Sequence, residues 1–305
     1  MATMVPPADA DADADPAADG DADEVDSGGY RHYNNPEDTV FTLPLFGHEL
    51  SFAQQPADRT LGHGSVVWEA AVIFCKWTEL SSDFSVANMS GKRVLELGSG
   101  TAVAGVALLM RGARVVFSDL SPVCAAITLP NATSSYRRLQ GLSLPVPRLY
   151  APAVLPVDWT IEGNLRDLVW PGEEGGVGGE GTRSGDDKGE GEGEGEGEGE
   201  GEGEGESAER SKPAASPADI VLLTDCVFSE SLIPALVRTV LDAVRGNRHA
   251  VVYAVHEVRN EDANALFVAT MRRHFRDVKL VPRRQQAEGF RHELVQILVA
   301  KRRKA

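Results

Sequence analysis

Val94-Leu95-Glu96-Leu97-Gly98-Ser99-Gly100 is a mostly apolar run that stops at two glycines one residue apart. The apolar part reads as a short buried strand, and the glycines as a sharp turn where a ligand comes close to the backbone. Glycine permits both, because it lacks a Cβ and takes positive φ at little steric cost. A small-residue helix from about 102 to 111 follows, then a second strand at 113–118 that ends in Asp119. Asp119 lies nineteen residues beyond Gly100, where an acid is placed to bond a ribose diol.

The alternation continues downstream. Ser121-Pro122 is a helix start, with Ser as N-cap and Pro at the first helical position, and Pro130 is expected to end or kink that helix. Strands are expected at 148–157, 219–223 and 250–255, with helices at 232–244 and 261–275. Two last strands, near 278–281 and 293–300, have no helix between them. Strands joined by helices imply a parallel sheet, and a final pair joined by a loop implies an antiparallel edge. Upstream, residues 39–52 read as a hairpin turning near Phe46-Gly47. Residues 66–80 read as a helix with Val67, Ala70, Ala71, Phe74 and Trp77 on one face. The expected fold is α/β, a doubly wound seven-stranded Rossmann-like sheet with an antiparallel last strand.

Two stretches are too biased to pack. Residues 1–38 make an acidic tail, and residues 171–218 include nine consecutive Gly-Glu pairs from Gly189 to Glu206. Ordering glycine is entropically costly and a row of glutamates repels itself, so both are expected to be disordered. Residues 39–305 then form one domain carrying the insert as a loop. The formal charge of -16 resides in these stretches, since 1–29 and 171–218 together carry twenty net negative charges and the remainder is +4. Overall acidity is therefore no argument for a basic partner. Cys75, Cys124 and Cys226 stand far apart, which suggests neither a disulfide framework nor a zinc site. With no signal or transit pattern and no long apolar window, a cytoplasmic location is expected, with the nucleus as a second compartment.

The glycine turn fits a dinucleotide or S-adenosylmethionine, and two details separate them. The pyrophosphate fingerprint needs a third glycine where this chain has Val103, and the next one is Gly105. Glu96, just before the turn, would repel a pyrophosphate but can pair with a cationic amino-acid group. S-adenosylmethionine is favoured.

Four segments in this order resemble the seven-strand protein-lysine methyltransferases of methyltransferase family 16. They are Gly64-Ser65-Val66-Val67-Trp68-Glu69-Ala70-Ala71, the Val94–Gly100 turn, Thr224-Asp225-Cys226-Val227-Phe228-Ser229-Glu230-Ser231-Leu232, and the stretch from Tyr253 to Glu257-Val258-Arg259. The resemblance implies that Trp68, Glu96, Gly98, Ser99, Gly100, Asp119, Asp158, Trp159 and Thr224 contact the cofactor. It also implies a protein substrate, with an AAA ATPase or other chaperone-like protein as the candidate, and a monomer. The chain departs from the family's D-x-x-Y motif, having Asp225-Cys226-Val227-Phe228; Phe keeps the ring and loses the hydroxyl.

Methyl transfer to an amine requires alignment and a deprotonated nucleophile, and a free lysine has a pKa of about 10.4. Asp225 is the candidate to orient the incoming amine, and Phe228 to wall the channel around its alkyl stem. The absent hydroxyl keeps two other readings open: a methyltransferase for arginine, histidine or a small molecule, and a cofactor-binding interaction module without turnover.

Overall fold

The computed structural model describes residues 33–173 and 216–304. The acidic tail up to residue 32 and the Gly-Glu run lie outside the described residues. At both edges the described chain is tied down further than composition suggests. Asn34, placed in the tail by its sequence, is buried and donates through Nδ2 to Gln54 Oε1 at 2.9 Å and to the Val67 carbonyl at 2.8 Å. Trp170 and Ser216, on the two flanks of the insert, are joined by an Nε1–H···O=C bond of 2.6 Å.

The expected hairpin is present as β1 (Val40–Leu45) and β2 (His48–Ala53), paired antiparallel about Phe46-Gly47. Phe41, Leu43, Leu45, Leu50 and Phe52 are buried, the alternation of strands with one face on a core. The next helix, α1 (Glu69–Leu80), begins three residues later than its apolar pattern predicts. Val66 and Trp68 hold extended backbone, and this frees the indole to face outward from the first turn. A single turn, α2 (Val86–Met89), leads to β3 (Arg93–Leu97), α3 (Val103–Leu109) and β4 (Arg114–Asp119).

Pro130 does not end the helix. α4 (Ser121–Val123) runs into a π-helical stretch, Cys124–Thr128, and on into α5 (Leu129–Gln140) with Pro130 in its first turn. The wider π turn accommodates a residue that cannot donate a backbone hydrogen bond. Then come β5 (Ala153–Pro156), β6 (Ile220–Thr224), α6 (Ile233–Ala243), β7 (Val251–Glu257), α7 (Glu261–His274), β8 (Phe275–Leu280) and β9 (Val295–Arg303).

The seven strands lie in the order β5-β4-β3-β6-β7-β9-β8, all parallel except β9, which runs antiparallel to both neighbours. This is the doubly wound seven-stranded Rossmann-like sheet expected from the sequence, except that the antiparallel last strand, β9, lies inside the sheet and β8 forms its edge. Alternate residues feed two cores. Val94, Phe117, Leu222 and Val255 pack towards α1 and α3, while Leu95, Leu97, Leu223 and Ala254 pack towards α6 and α7. At the amino end of the central strands, Asp219 accepts from Arg93 N at 3.0 Å, Nε at 3.1 Å and a terminal guanidinium nitrogen at 3.2 Å, clasping β3 to β6. Strand order reverses between β4 and β6 on either side of β3, and the crevice beyond the carboxyl ends of such strands is where ligands bind. No helix among the described residues is long and apolar enough to cross a membrane.

Candidate active site

A cavity of about 450 Å³ opens at that crevice. Its walls include Trp68 before α1, the Gly98-Ser99-Gly100 turn after β3, Asp119 at the end of β4, Asp158 and Trp159 after β5, and Thr224, Asp225 and Phe228 after β6. Ten of the eleven residues singled out in the sequence therefore meet in one space. The eleventh, Glu96, does not line it.

The turn is shaped by its glycines. Gly98 has φ +68°, and a Cβ there would stand 2.7 Å from Cys226 Sγ and 3.3 Å from the Trp159 ring. Gly100 has φ +47°, and its Cβ would stand 3.1 Å from the Gly64 carbonyl oxygen. Ser99 Oγ accepts from Ser118 N at 3.0 Å, and the Ser118 hydroxyl donates to the Glu96 carbonyl at 2.7 Å, so the turn is stitched to β4. Both Asp119 oxygens take backbone N–H groups, Oδ2 from Gly100 at 2.8 Å and Oδ1 from Leu120 at 2.7 Å. Burial nevertheless holds its carboxyl above the ordinary value, with those two bonds opposing.

Glu96 shows why one position of the motif is displaced. Side chains alternate along a strand, and with Leu95 and Leu97 directed to the α6/α7 core, Glu96 points the other way, under α3. A Cβ on Gly105 would lie 2.5 Å from Glu96 Oε2. The side chain is fully buried, and burial pushes its carboxyl up to about 8, with the Ser99 hydroxyl and the Gly105 backbone N–H opposing. It does not line the cavity; it underlies the turn. Gly105, noted in the sequence only as falling outside the dinucleotide fingerprint, leaves the space for it.

Asp158 is partly buried and spends Oδ1 on Thr160, whose hydroxyl and backbone N–H hold its carboxyl below the ordinary value. Trp159 lies against Gly98, and its buried Nε1–H has no partner. Asp225 takes the left-handed conformation, φ +60°, which costs a non-glycine residue on the order of 1 kcal/mol. The strain aims its carboxylate between β6 and β7. Oδ1 accepts from Glu257 N at 3.1 Å, and Arg259 approaches Oδ2 at 2.9 Å. Burial holds the Asp225 carboxyl above the ordinary value, and the charge of Arg259 opposes this. Phe228 is 41% exposed at the mouth, its ring centroid 6.4 Å from that of His63.

Sequence reasoning passed over the Leu61–Gly64 loop as part of the wall. The signal was the Gly62-His63-Gly64 pattern: Gly62 has φ +56°, and a Cβ on Gly64 would stand 2.7 Å from Val123 Cγ1. Cys226 is buried and donates its S–H to the Leu97 carbonyl at 3.1 Å. His256 faces α7, with Nε2 2.9 Å from Asn264 Oδ1, rather than the cavity. Among the described residues no cluster of His, Cys, Asp and Glu is arranged to hold a metal.

A doubly wound sheet with an antiparallel β9 inserted between β7 and β8, and with a glycine-turn cavity at its switch point, has the Rossmann-like methyltransferase fold. A family model described as lysine methyltransferase matches residues 47–133 and 205–274, a little over half the chain, and the chain belongs to that family. Among curated relatives, protein N-lysine methyltransferase METTL21A of Danio rerio is 37% identical over 84 residues, 28% of this chain and 36% of that protein. EEF1A lysine methyltransferase 3 of Xenopus tropicalis is 30% identical over 117 residues, 38% of this chain and 45% of that protein. The chain thus spans a third to a half of the length of these relatives. Among solved structures, the 16S rRNA methyltransferase RsmC of T. Thermophilus, in complex with AdoMet and guanosine, has a TM-score of 0.44 at 14% identity, covering 87% of this chain and 50% of that one.

Proposed function

We propose that this protein is an S-adenosylmethionine-dependent protein-lysine N-methyltransferase. The observation that carries the reading is the convergence of Trp68, the Gly98–Gly100 turn, Asp119, Trp159 and Asp225 on one cavity. The residues fit the cofactor: the turn is a cradle that any Cβ would fill, and the buried Trp159 Nε1–H lacks an acceptor. Gly98, Ser99, Gly100, Asp119, Asp158, Trp159 and Thr224 would hold it. When bound, S-adenosylmethionine supplies an electrophilic methyl group.

The chain's own part is to orient the acceptor and manage its proton. Asp225 belongs to the cavity wall, its carboxylate held by the Glu257 N–H and the Arg259 guanidinium, and it orients the incoming amine. Phe228 offers apolar wall to an alkyl stem, and the low-polarity surroundings lower the amine's proton affinity by desolvation. The acid and ring together suit a long cationic side chain, which favours lysine over a small molecule.

The acceptor is proposed to be a protein of the AAA ATPase or chaperone-like kind. Support comes from the likeness of the four motif segments to the valosin-containing-protein lysine methyltransferase. The elongation factor in the name of the EEF1A relative is a second class to examine. A monomer working in the cytoplasm, and also in the nucleus, completes the proposal.

Calorimetry with S-adenosylmethionine and a labelled-methyl assay on cell lysate test it. Label recovered on lysine after protein hydrolysis is the expected result. Asp225→Ala should abolish labelling while changing cofactor affinity less than about threefold; unchanged turnover in that variant, or label found only on arginine, histidine or metabolites, overturns the assignment.

A further inference from the structure

Arg259 pairs locally with Glu257, donating to its Oε2 at 2.7 Å. It does more than that. The same guanidinium nitrogen lies 2.9 Å from Asp225 Oδ2, and the guanidinium carbon stands 4.6 Å from the Trp68 ring centroid. Trp68 is held from its other side as well, since its Nε1–H donates to the His63 carbonyl at 2.7 Å and its ring meets the His63 ring edge-on at 5.7 Å. One side chain therefore joins three cavity-building segments: the entry to α1, the end of β6 and the end of β7.

The geometry at Asp225 is specific. Glu257 N–H fills Asp225 Oδ1, while the Arg259 guanidinium nitrogen, which carries two hydrogens, pairs with Asp225 Oδ2 as well as with Glu257 Oε2, in an Asp225 side chain only 6% exposed. A carboxylate buried to that extent is costly unless a charge partner and hydrogen bonds hold it, and Arg259 supplies the charge. We propose that Arg259 is a positioning residue for the acceptor amine: it fixes the rotamer of Asp225 and the plane of Trp68 at the cavity wall, and it reduces the two acidic charges of Asp225 and Glu257 to one. This rests on the methyl-transfer reading and adds the element that sets acceptor specificity. A guanidinium fork can bridge two carboxylates while stacking on a ring; an ammonium cannot do all three.

The charged and titratable neighbours of Asp225 are Arg259 beyond β7, Glu257 and His256 at the end of β7, and Cys226 beside it in the chain. Of these only Arg259 favours the carboxylate form through charge at neutral pH. Its removal should shift the acid limb of the rate profile to higher pH.

The test compares full-length wild type, Arg259→Gln and Arg259→Lys, using calorimetry with S-adenosylmethionine and the rate of labelled-methyl transfer to lysate protein at saturating cofactor. Arg259→Gln should transfer at least tenfold more slowly, bind cofactor within threefold of wild type and show the shifted acid limb. Arg259→Lys should recover part of the rate and restore the limb. Wild-type rate in Arg259→Gln, or loss of rate in proportion to loss of cofactor affinity, overturns the positioning role while the methyl-transfer reading stands. A wild type that binds cofactor and labels nothing overturns both.

Discussion

Asp119 holds the backbone N–H of Gly100 at 2.8 Å, joining the end of β4 to the tightest point of the turn after β3. The acid therefore shapes the turn before any ligand arrives, and a carboxylate oxygen can accept a second hydrogen bond beside the first. Asp119→Ala should weaken S-adenosylmethionine binding at least tenfold, since hydrogen bonds to charged groups contribute about 1.5–3 kcal/mol. Calorimetry checks this, and saturating cofactor should restore most of the transfer rate. An unchanged dissociation constant would remove Asp119 from the binding site.

Glu96 gives a pH signature. Its folded carboxyl titrates at about 8 against 4.5 for an unperturbed glutamate, because burial disfavours the charge. A raised carboxyl binds its proton more tightly in the fold, so its stabilising contribution is full below the unfolded value and is lost as pH rises towards 8. The slope is at most about 1.4 kcal/mol per pH unit. Glu96→Gln, which stays neutral, should melt with a flatter pH dependence between 5 and 8 and above wild type at pH 8.5. Parallel melting curves across that range would show that Glu96 is ionised in the fold.

The flanks of the insert meet through Trp170 and Ser216, and the Trp170 ring is almost wholly buried. Deleting Gly189 to Glu206 should leave cofactor affinity and melting temperature unchanged, because the clasp lies outside the deleted run. Trp170→Ala should cost about 3–5 kcal/mol, the usual loss for a large buried ring. Thermal and denaturant unfolding of the two variants separates these effects, and a destabilised deletion would show that the Gly-Glu run itself contributes to the fold.

Much of this architecture was legible because its signals are local. The apolar run ending at Gly98, the acid at 119 and the alternation of strands and helices each lie within a few residues of chain. What escaped reading depends on partners distant in sequence. Glu96 sits in a cofactor motif, yet strand parity turns it beneath α3, and only the packing of Gly105 reveals that. Pro130 looked like a stop until a π turn widened the helix ahead of it. Arg259 has an acid two residues away, and nothing in that spacing reports the indole of Trp68.

The clasp of Arg93 on Asp219 divides the labour of the molecule. On one side of it lie β3, β4 and β5, with Gly98, Asp119 and Trp159, the groups assigned to the methyl donor. On the other lie β6 and β7, with Asp225, Phe228 and Arg259, the groups assigned to the acceptor. Donor and acceptor groups thus fall mostly on opposite sides of that joint, and Thr224, at the end of β6, is the cofactor group that crosses it. Their alignment is inherited from a joint at the opposite end of the sheet, so the register of Arg93 on Asp219 bears on a reaction that neither residue touches.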